Sequence, residues 1–524
     1  MKRKNGTGLG SPEGTGAAPR NHRISRRSPS AGSRHTVNRS LIFNGSDYAV
    51  QVVSMFLITP LIAASLGTTG YGQWLILMSV IGYLGLLEMG VSSAGTKFLA
   101  SALREDEFAL FGRRLGAIRR QLGLAGSVAG LLMGAAAAVA WGLSASSHVN
   151  PDTPWVFLIF VPPTLLTFWL RDRLLVLRAH LCYGLIAATT VSRTALQTVL
   201  VMYSLTHTQS LIGLALAHAL PQCGCFLAQH FLAKRVLSRH HLDRLEPTAD
   251  DRRELRSIAG HVFTSQMAAN FTAKSEPLLV AAVAGIAFVP IHGIARRITG
   301  LLTDAVQTVF GSVLTVTFSR HRETAGTDPV DKELAHYSRL VSTLSGWVCS
   351  TLFFCGPPFI EAWLPPDFAQ SAPLLLILLP AIALRLSSNP MGSFLLATGR
   401  HRLVSQLSLI LACLSVLLMA AFGMIWGITG LVVGLAAAEI ILFAILFPRV
   451  MCRAIGRPMG GFYARHILFP LFLGGLPVAL LAIPASSLLT PSFGSLLLFA
   501  MLSALPLIGV IYKINTLFND MSKN

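Results

Sequence analysis

Fourteen hydrophobic runs divide this chain, and the links between them sort by charge. A helix needs about 20 apolar residues to cross roughly 30 Å of hydrocarbon at ~1.5 Å per residue. Runs of about that length fall near 41–66, 73–96, 122–143, 154–170, 181–205, 210–233, 257–284, 290–318, 337–356, 372–398, 403–422, 428–448, 466–485 and 492–512. The links after runs 1, 3, 5, 7, 9, 11 and 13 hold no Lys or Arg. Those after runs 2, 4, 6, 8, 10 and 12 hold 6, 3, 7, 4, 2 and 4, with 9 more in residues 1–40 and 2 at the C-terminal end; Arg339, at the edge of the ninth run, is counted with the link before it. Short cytoplasmic loops retain Lys and Arg. The pattern therefore predicts an all-α polytopic membrane protein with about 14 transmembrane helices and both termini in the cytoplasm.

Composition agrees, with a mean hydropathy of +0.61 and 12% charged residues against roughly 25% in soluble proteins. A net charge of +19 would suggest nucleic acid as the partner of a soluble chain. Here the excess faces cytoplasm and anionic head groups, and no RNA-binding motif with interleaved aromatics is present, so membrane lipids are expected as partners and nucleic acid is not. The seven cysteines, an odd number mostly inside apolar runs, predict no disulfide framework. Cys223-Gly-Cys225 lacks the second pair a zinc site needs, so neither a metal nor a cofactor is expected.

Residues 1–40, rich in Gly, Ser, Pro and Arg, read as a disordered cytoplasmic tail, either solvated or held against anionic lipid. The charged link 234–256 with Pro247 suits a cytoplasmic linker between an N-lobe of six helices (41–233) and a C-lobe of six (257–448). Residues 449–524 then carry helices 13 and 14. Gly126, Gly130 and Gly134 give the third helix a small-residue face for close packing.

Five basic residues lie inside the runs: Arg193, Lys274, Arg296, Arg297 and Arg385. So do five acidic ones, Asp47, Glu88, Glu276, Asp304 and Glu439. An ionised group within the bilayer is costly unless it faces a cavity or a partner. Lys274 and Glu276, two apart on one helix, point in different directions, so at least one should seek another helix. Arg296 and Arg297 diverge by about 100°, which allows one to face a lumen while the other packs on a neighbour or reaches the outer interface. Asp304 lies two turns below Arg297 on nearly the same face. Arg193 and Arg385 sit near mid-span, too deep for easy snorkelling.

Several cations facing one cavity would attract an anion, and guanidinium groups suit paired phosphate oxygens. These five are the substrate-binding candidates for a diphosphate. Asp47, Glu88, Glu276 and Asp304 are candidates for coupling to H⁺ or Na⁺, or for structural hydrogen bonds, in the case of Asp47 and Glu88 with Asn44, Tyr48, Gln51 or a cavity arginine. His218, His230, His261 and His292 read as satisfied interior groups.

The segment from Asn44 to Ala100 resembles the opening of bacterial polysaccharide exporters of the multidrug/oligosaccharidyl-lipid/polysaccharide flippase superfamily. It carries their Leu-Gly-x-x-x-Tyr-Gly-x-Trp turn at Leu66 to Trp74 and their Leu-Leu-acid-x-Gly stretch at Leu86 to Gly90. Residues 262–318 look like the family's seventh and eighth helices, with the usual acidic residue displaced into Lys274-Ser275-Glu276. With helix layout included, the resemblance covers about 41–450. It implies two six-helix lobes around a cavity that opens alternately to either side of the bacterial inner membrane. The cargo would be undecaprenyl-diphosphate-linked oligosaccharide for exopolysaccharide or O-antigen, with the polysaccharide polymerase and assembly machinery as partners. Helices 13 and 14 would border a groove for the lipid tail. Two other classes compete: a drug/cation antiporter of the same superfamily, which favours an acidic or apolar lumen, and a membrane-embedded glycan polymerase or glycosyltransferase. The longest outer link, 357–371, has about fifteen residues, too few for a large extramembrane catalytic site, so no enzyme activity is expected.

Overall fold

The computed structural model describes residues 31–523 except 89, 105–107, 146–149, 239–245, 312–313, 316, 320–327, 457–458 and 486–488. Among the described residues the chain is all-α. We number the helices α1 (Ala31–Leu84), α2 (Val91–Arg104), α3 (Phe108–Ala145), α4 (Thr153–Trp169), α5 (Arg171–Ala179), α6 (Tyr183–His207), α7 (Leu211–Leu237), α8 (Ala249–Val283) and α9 (Phe288–Val306). There follow α10 (Asp328–Trp363), α11 (Ser371–Ser387), α12 (Asn389–Ala397), α13 (His401–Ile440), α14 (Phe447–Ile455), α15 (Met459–Tyr463), α16 (Phe469–Ala482) and α17 (Phe493–Lys523).

This is a polytopic membrane protein: nine described stretches are long and apolar enough to cross a bilayer. Two of them, Asp47–Glu88 with 42 residues and Arg402–Arg453 with 52, each contain two of the sequence runs. Gly67 at φ 61° and Gly427 at φ 60° divide them, in a backbone region that only glycine enters at little cost. Run 14 lies on the shorter apolar stretch Phe493–Gly509, and runs 7 and 8, on α8 and α9, also fall outside the nine. Asn270, Thr272, Lys274, Ser275 and Glu276 on the first, and Arg296, Arg297 and Asp304 on the second, make these helices too polar to face lipid. Large apolar side chains elsewhere point outward, with Leu131 75%, Met424 79% and Ile483 77% exposed, as lipid-facing residues should be.

One expectation is corrected. The run 73–96 does not continue as one crossing. Helix α1 ends at Leu84, a 3₁₀ turn covers Gly85–Glu88, and Gly90 at φ 70° redirects the chain into α2. Val91, Ala94, Phe98, Leu99 and Ala102 are buried on one face of α2, so an amphipathic helix replaces the second half of the run. Helix α1 begins at Ala31, and the remainder of the expected tail, residues 1–30, lies outside the described part. The linker 234–256 is helical at both ends, with α7 running to Leu237 and α8 starting at Ala249. Thr248 and Asp251 close that start by a reciprocal capping box, which satisfies two backbone donors that a helix N-terminus leaves open.

Packing places α1, α3, α4, α6 and α7 side by side, and α8, α9, α10, α11 and α13 side by side, with α16 and α17 against α10. The two groups meet where α1 touches α8 and α9. At the end that the charge sort assigns to the outside, Gly72 packs on the Ile286 carbonyl, Trp363 Nε1 donates to the Phe56 carbonyl at 3.0 Å, and the rings of Tyr71 and Phe368 lie 6.4 Å apart. A Cβ at position 72 would fall on backbone. Gly72→Val is therefore expected to hold the outer ends apart, read in a cysteine-free background as faster labelling of a cysteine at Thr59 by an impermeant reagent from outside. An unchanged rate would show that this contact does not seal the cavity.

Candidate functional site

Helical spacing brings polar side chains of several helices to one cavity of about 400 Å³. Gln51, Ser54, Met55, Ile58, Thr59 and Ile62 come from the first half of α1, and Tyr71, Trp74, Leu75 and Met78 from its second half. Both sets follow the three- and four-residue steps of a single helix face. Helix α6 adds Arg193, Thr194 and Gln197, α7 adds His218 and α9 adds Arg297. Arg193 donates to Gln197 Oε1 at 3.1 Å and to Thr194 Oγ1 at 3.3 Å. Arg297 Nη1 donates to the Tyr71 hydroxyl at 3.4 Å. The imidazole of His218 lies 4.9 Å from the Trp74 ring, so an aromatic wall stands beside the cations. The described lining contains no carboxylate. Two guanidinium groups that line one hollow with no carboxylate in its described lining create a positive potential for an anion.

A second cavity of about 240 Å³ is built differently. Arg296 on α9 grips Glu276 of α8 through two parallel bonds, Nε to Oε2 at 2.8 Å and Nη2 to Oε1 at 3.0 Å. Its Nη1 lies 3.7 Å from Glu439 Oε1 on α13, and Arg385 on α11 donates to that same oxygen at 3.0 Å. Two arginines and two glutamates thus cancel in charge, which is what makes so many buried ions tolerable. Glu439 Oε2 and Ser415 Oγ are buried there with no hydrogen-bond partner among the described residues.

The sequence candidates therefore separate. Arg193 and Arg297 share the first cavity; Arg296 and Arg385 face the second, their charge taken up by Glu276 and Glu439. Arg296 turns to Glu276 and Glu439, while Arg297 is exposed and reaches the Tyr71 hydroxyl at the end that the charge sort assigns to the outside. Lys274 lies elsewhere on α8, its Cε 2.6 Å from where a Cβ on Gly82 would sit. Asp304 is exposed on α9 rather than paired with Arg297. Asp47 Oδ2 accepts from Gln51 Nε2 at 3.1 Å, which places it one turn from the first cavity. Glu88 lies in the 3₁₀ turn instead of a transmembrane helix and meets Arg171 of α5 at 3.3 and 3.2 Å. Further ion pairs stand among the neighbouring helices, with Asp172 held by Arg119 at 2.9 Å and Arg113 3.5 Å from Asp251. Sequence reasoning offered Gln51 only as a hydrogen-bond partner of a carboxylate, a bond it does make with Asp47, gave Trp74 only as part of the turn motif, left out Gln197 and read His218 as a satisfied interior group. Gln51 stands four residues after Asp47 and Gln197 four after Arg193, and such same-face polar pairs in apolar helices were the available signal.

A third hollow, about 420 Å³ and mostly apolar, runs between α10, α11 and α16 past Cys349, Phe353, Leu379, Leu471, Phe472 and Leu476. The seven cysteines form no disulfide, and no group of three or more metal-ligating side chains gathers among the described residues.

Neither a protein-family profile nor a curated protein matches the sequence. The fold does match solved structures. The inward closed conformation of the lipid II flippase MurJ aligns with a TM-score of 0.69 at 12% identity, covering 90% of this chain and 99% of that one. An inward-facing multidrug resistance MATE family transporter of the MOP superfamily aligns at 0.64 and 11% identity, over 78% and 98%. A MOP superfamily transporter from Pyrococcus furiosus, described as having a binding pocket of reverse polarity, aligns at 0.56 and 13% identity, over 81% and 96%. At these identities the likeness shows a shared all-α fold.

Proposed function

We propose that this protein is a non-enzymatic flippase that carries undecaprenyl-diphosphate-linked oligosaccharide from the cytoplasmic to the outer leaflet of the bacterial inner membrane, for surface polysaccharide. The observation that carries this reading is the cavity where Arg193 and Arg297 converge with no carboxylate in its described lining. A diphosphate presents paired oxygens to two guanidinium forks, while a cationic drug would be repelled there. In this reading residues 41–233 and 257–448 form two six-helix lobes that rock about the cavity. Helix α7 and the cytoplasmic start of α8 join them, and fourteen crossings leave both termini in the cytoplasm. The apolar hollow beside α16 would hold the prenyl tail, in keeping with a shared fold with a lipid II flippase. Gln51, Gln197 and the Trp74 ring would meet the first sugar.

The reading is tested in a strain whose surface glycan depends on this protein. Arg193→Ala combined with Arg297→Ala is expected to lower surface polysaccharide at least tenfold, the loss of two charge-assisted contacts at about 1.5–3 kcal/mol each. Lipid-linked precursor should accumulate on the inner leaflet at unchanged protein abundance. Normal surface glycan would remove this cavity from the transport path.

A further inference from the structure

The two arginines that adjoin in sequence serve different cavities. Arg297 lines the uncompensated hollow with Arg193, and Arg296, one residue earlier on α9, lines the charge-balanced one with Glu276, Glu439 and Arg385. Helix α9 is thus a common wall, and successive side chains turned by about 100° enter different cavities from it. We propose that the charge on the Glu276–Glu439 pair sets the anion affinity of the Arg193–Arg297 cavity across this wall. The inference rests on the flippase reading for the identity of the anion, and adds the group that regulates it.

The argument is electrostatic. The charged groups facing Glu439 are Glu276 from α8, Arg296 from α9 and Arg385 from α11. With both carboxylates ionised the four charges sum to zero, and Arg296 adds little to the potential felt by its neighbour. Neutralising one carboxylate leaves one cation in excess next to Arg297. An anion in the first cavity is then held more tightly.

A pH profile alone would not isolate this effect, because His218 lines the anion cavity itself. The test is a double-mutant cycle at fixed pH on the full chain in lipid nanodiscs, with inorganic pyrophosphate as the probe. Glu439→Gln keeps the shape of the side chain and an oxygen for Arg385. It is expected to tighten pyrophosphate binding by roughly fivefold or more, the lower end of ordinary coupling between sites, and to have less than a twofold effect in an Arg297→Gln background. Glu276→Gln makes the same test from the other side of Arg296 if Glu439→Gln is not monodisperse. Unchanged or weaker binding in both glutamine variants, while Arg297→Gln still weakens the wild type, overturns the coupling and leaves the anion site standing. Binding that Arg297→Gln does not alter overturns the anion site, and the coupling falls with it.

Discussion

Arg296→Leu is expected to destabilise the protein by about 3–5 kcal/mol, the usual consequence of removing one member of a buried ion pair. Glu276 is 5% and Glu439 1% exposed. Arg385 still bonds Glu439, but Glu276 loses both of its guanidinium bonds. It is left ionised in a dry site, or neutral at the expense of taking up a proton. The diagnostic comparison is the double variant Arg296→Leu with Glu276→Leu. Replacing both partners by apolar groups of similar volume is often neutral, so the double variant should regain most of the thermal midpoint lost by the single one. Thermal unfolding of the purified protein, followed by tryptophan fluorescence, checks both. A single variant as stable as the wild type would mean that the four charges are solvated, and that the second cavity is open water.

Such pairings mark the limit of what the sequence revealed. The alternation of Lys and Arg across the links was legible because insertion reads charge in short loops, whatever the helices do inside the bilayer. The break at Gly67 was legible because a short Gly-bearing turn stands between two long apolar runs. The angular divergence of Arg296 and Arg297 followed from helix geometry alone. What each arginine met did not: Glu439 is 54 residues from Arg385, and Glu88 is 83 residues from Arg171. Those partners depend on how neighbouring helices register, which no local pattern encodes. The run 73–96 misled for a different reason. A hydropathy run does not register a redirecting glycine, so the second half of the run, which Gly90 turns into the amphipathic α2, was read as part of the crossing. The cavity was half legible: its cations stood out as intramembrane charges, while Gln197 was hidden among the ordinary polar residues of long helices.

Gly474→Ile is expected to undock α16 from α10. A Cβ at Gly474 would fall on the backbone carbonyl of Thr343, and one at Gly346, across the same seam, on the carbonyl of Leu471. The reciprocal contact of small residues lets two backbones approach closely in lipid, where dispersion rather than the hydrophobic effect drives association. A side chain that meets another side chain can change rotamer. One that meets backbone must displace a helix, so the penalty should reach the upper end of the ~1–3 kcal/mol typical of overpacking. Gly460→Ile is the control, since nothing lies within 4 Å of a Cβ there. It should leave thermal stability within about 0.5 kcal/mol, as ordinary surface substitutions do. The effect would extend to function, because α16 forms one wall of the apolar hollow that also includes Phe353 and Leu379. Loss of surface glycan in Gly474→Ile with the anion cavity still binding pyrophosphate would assign the hollow to the lipid tail. A variant that transports normally despite a displaced α16 would show that the tail travels elsewhere.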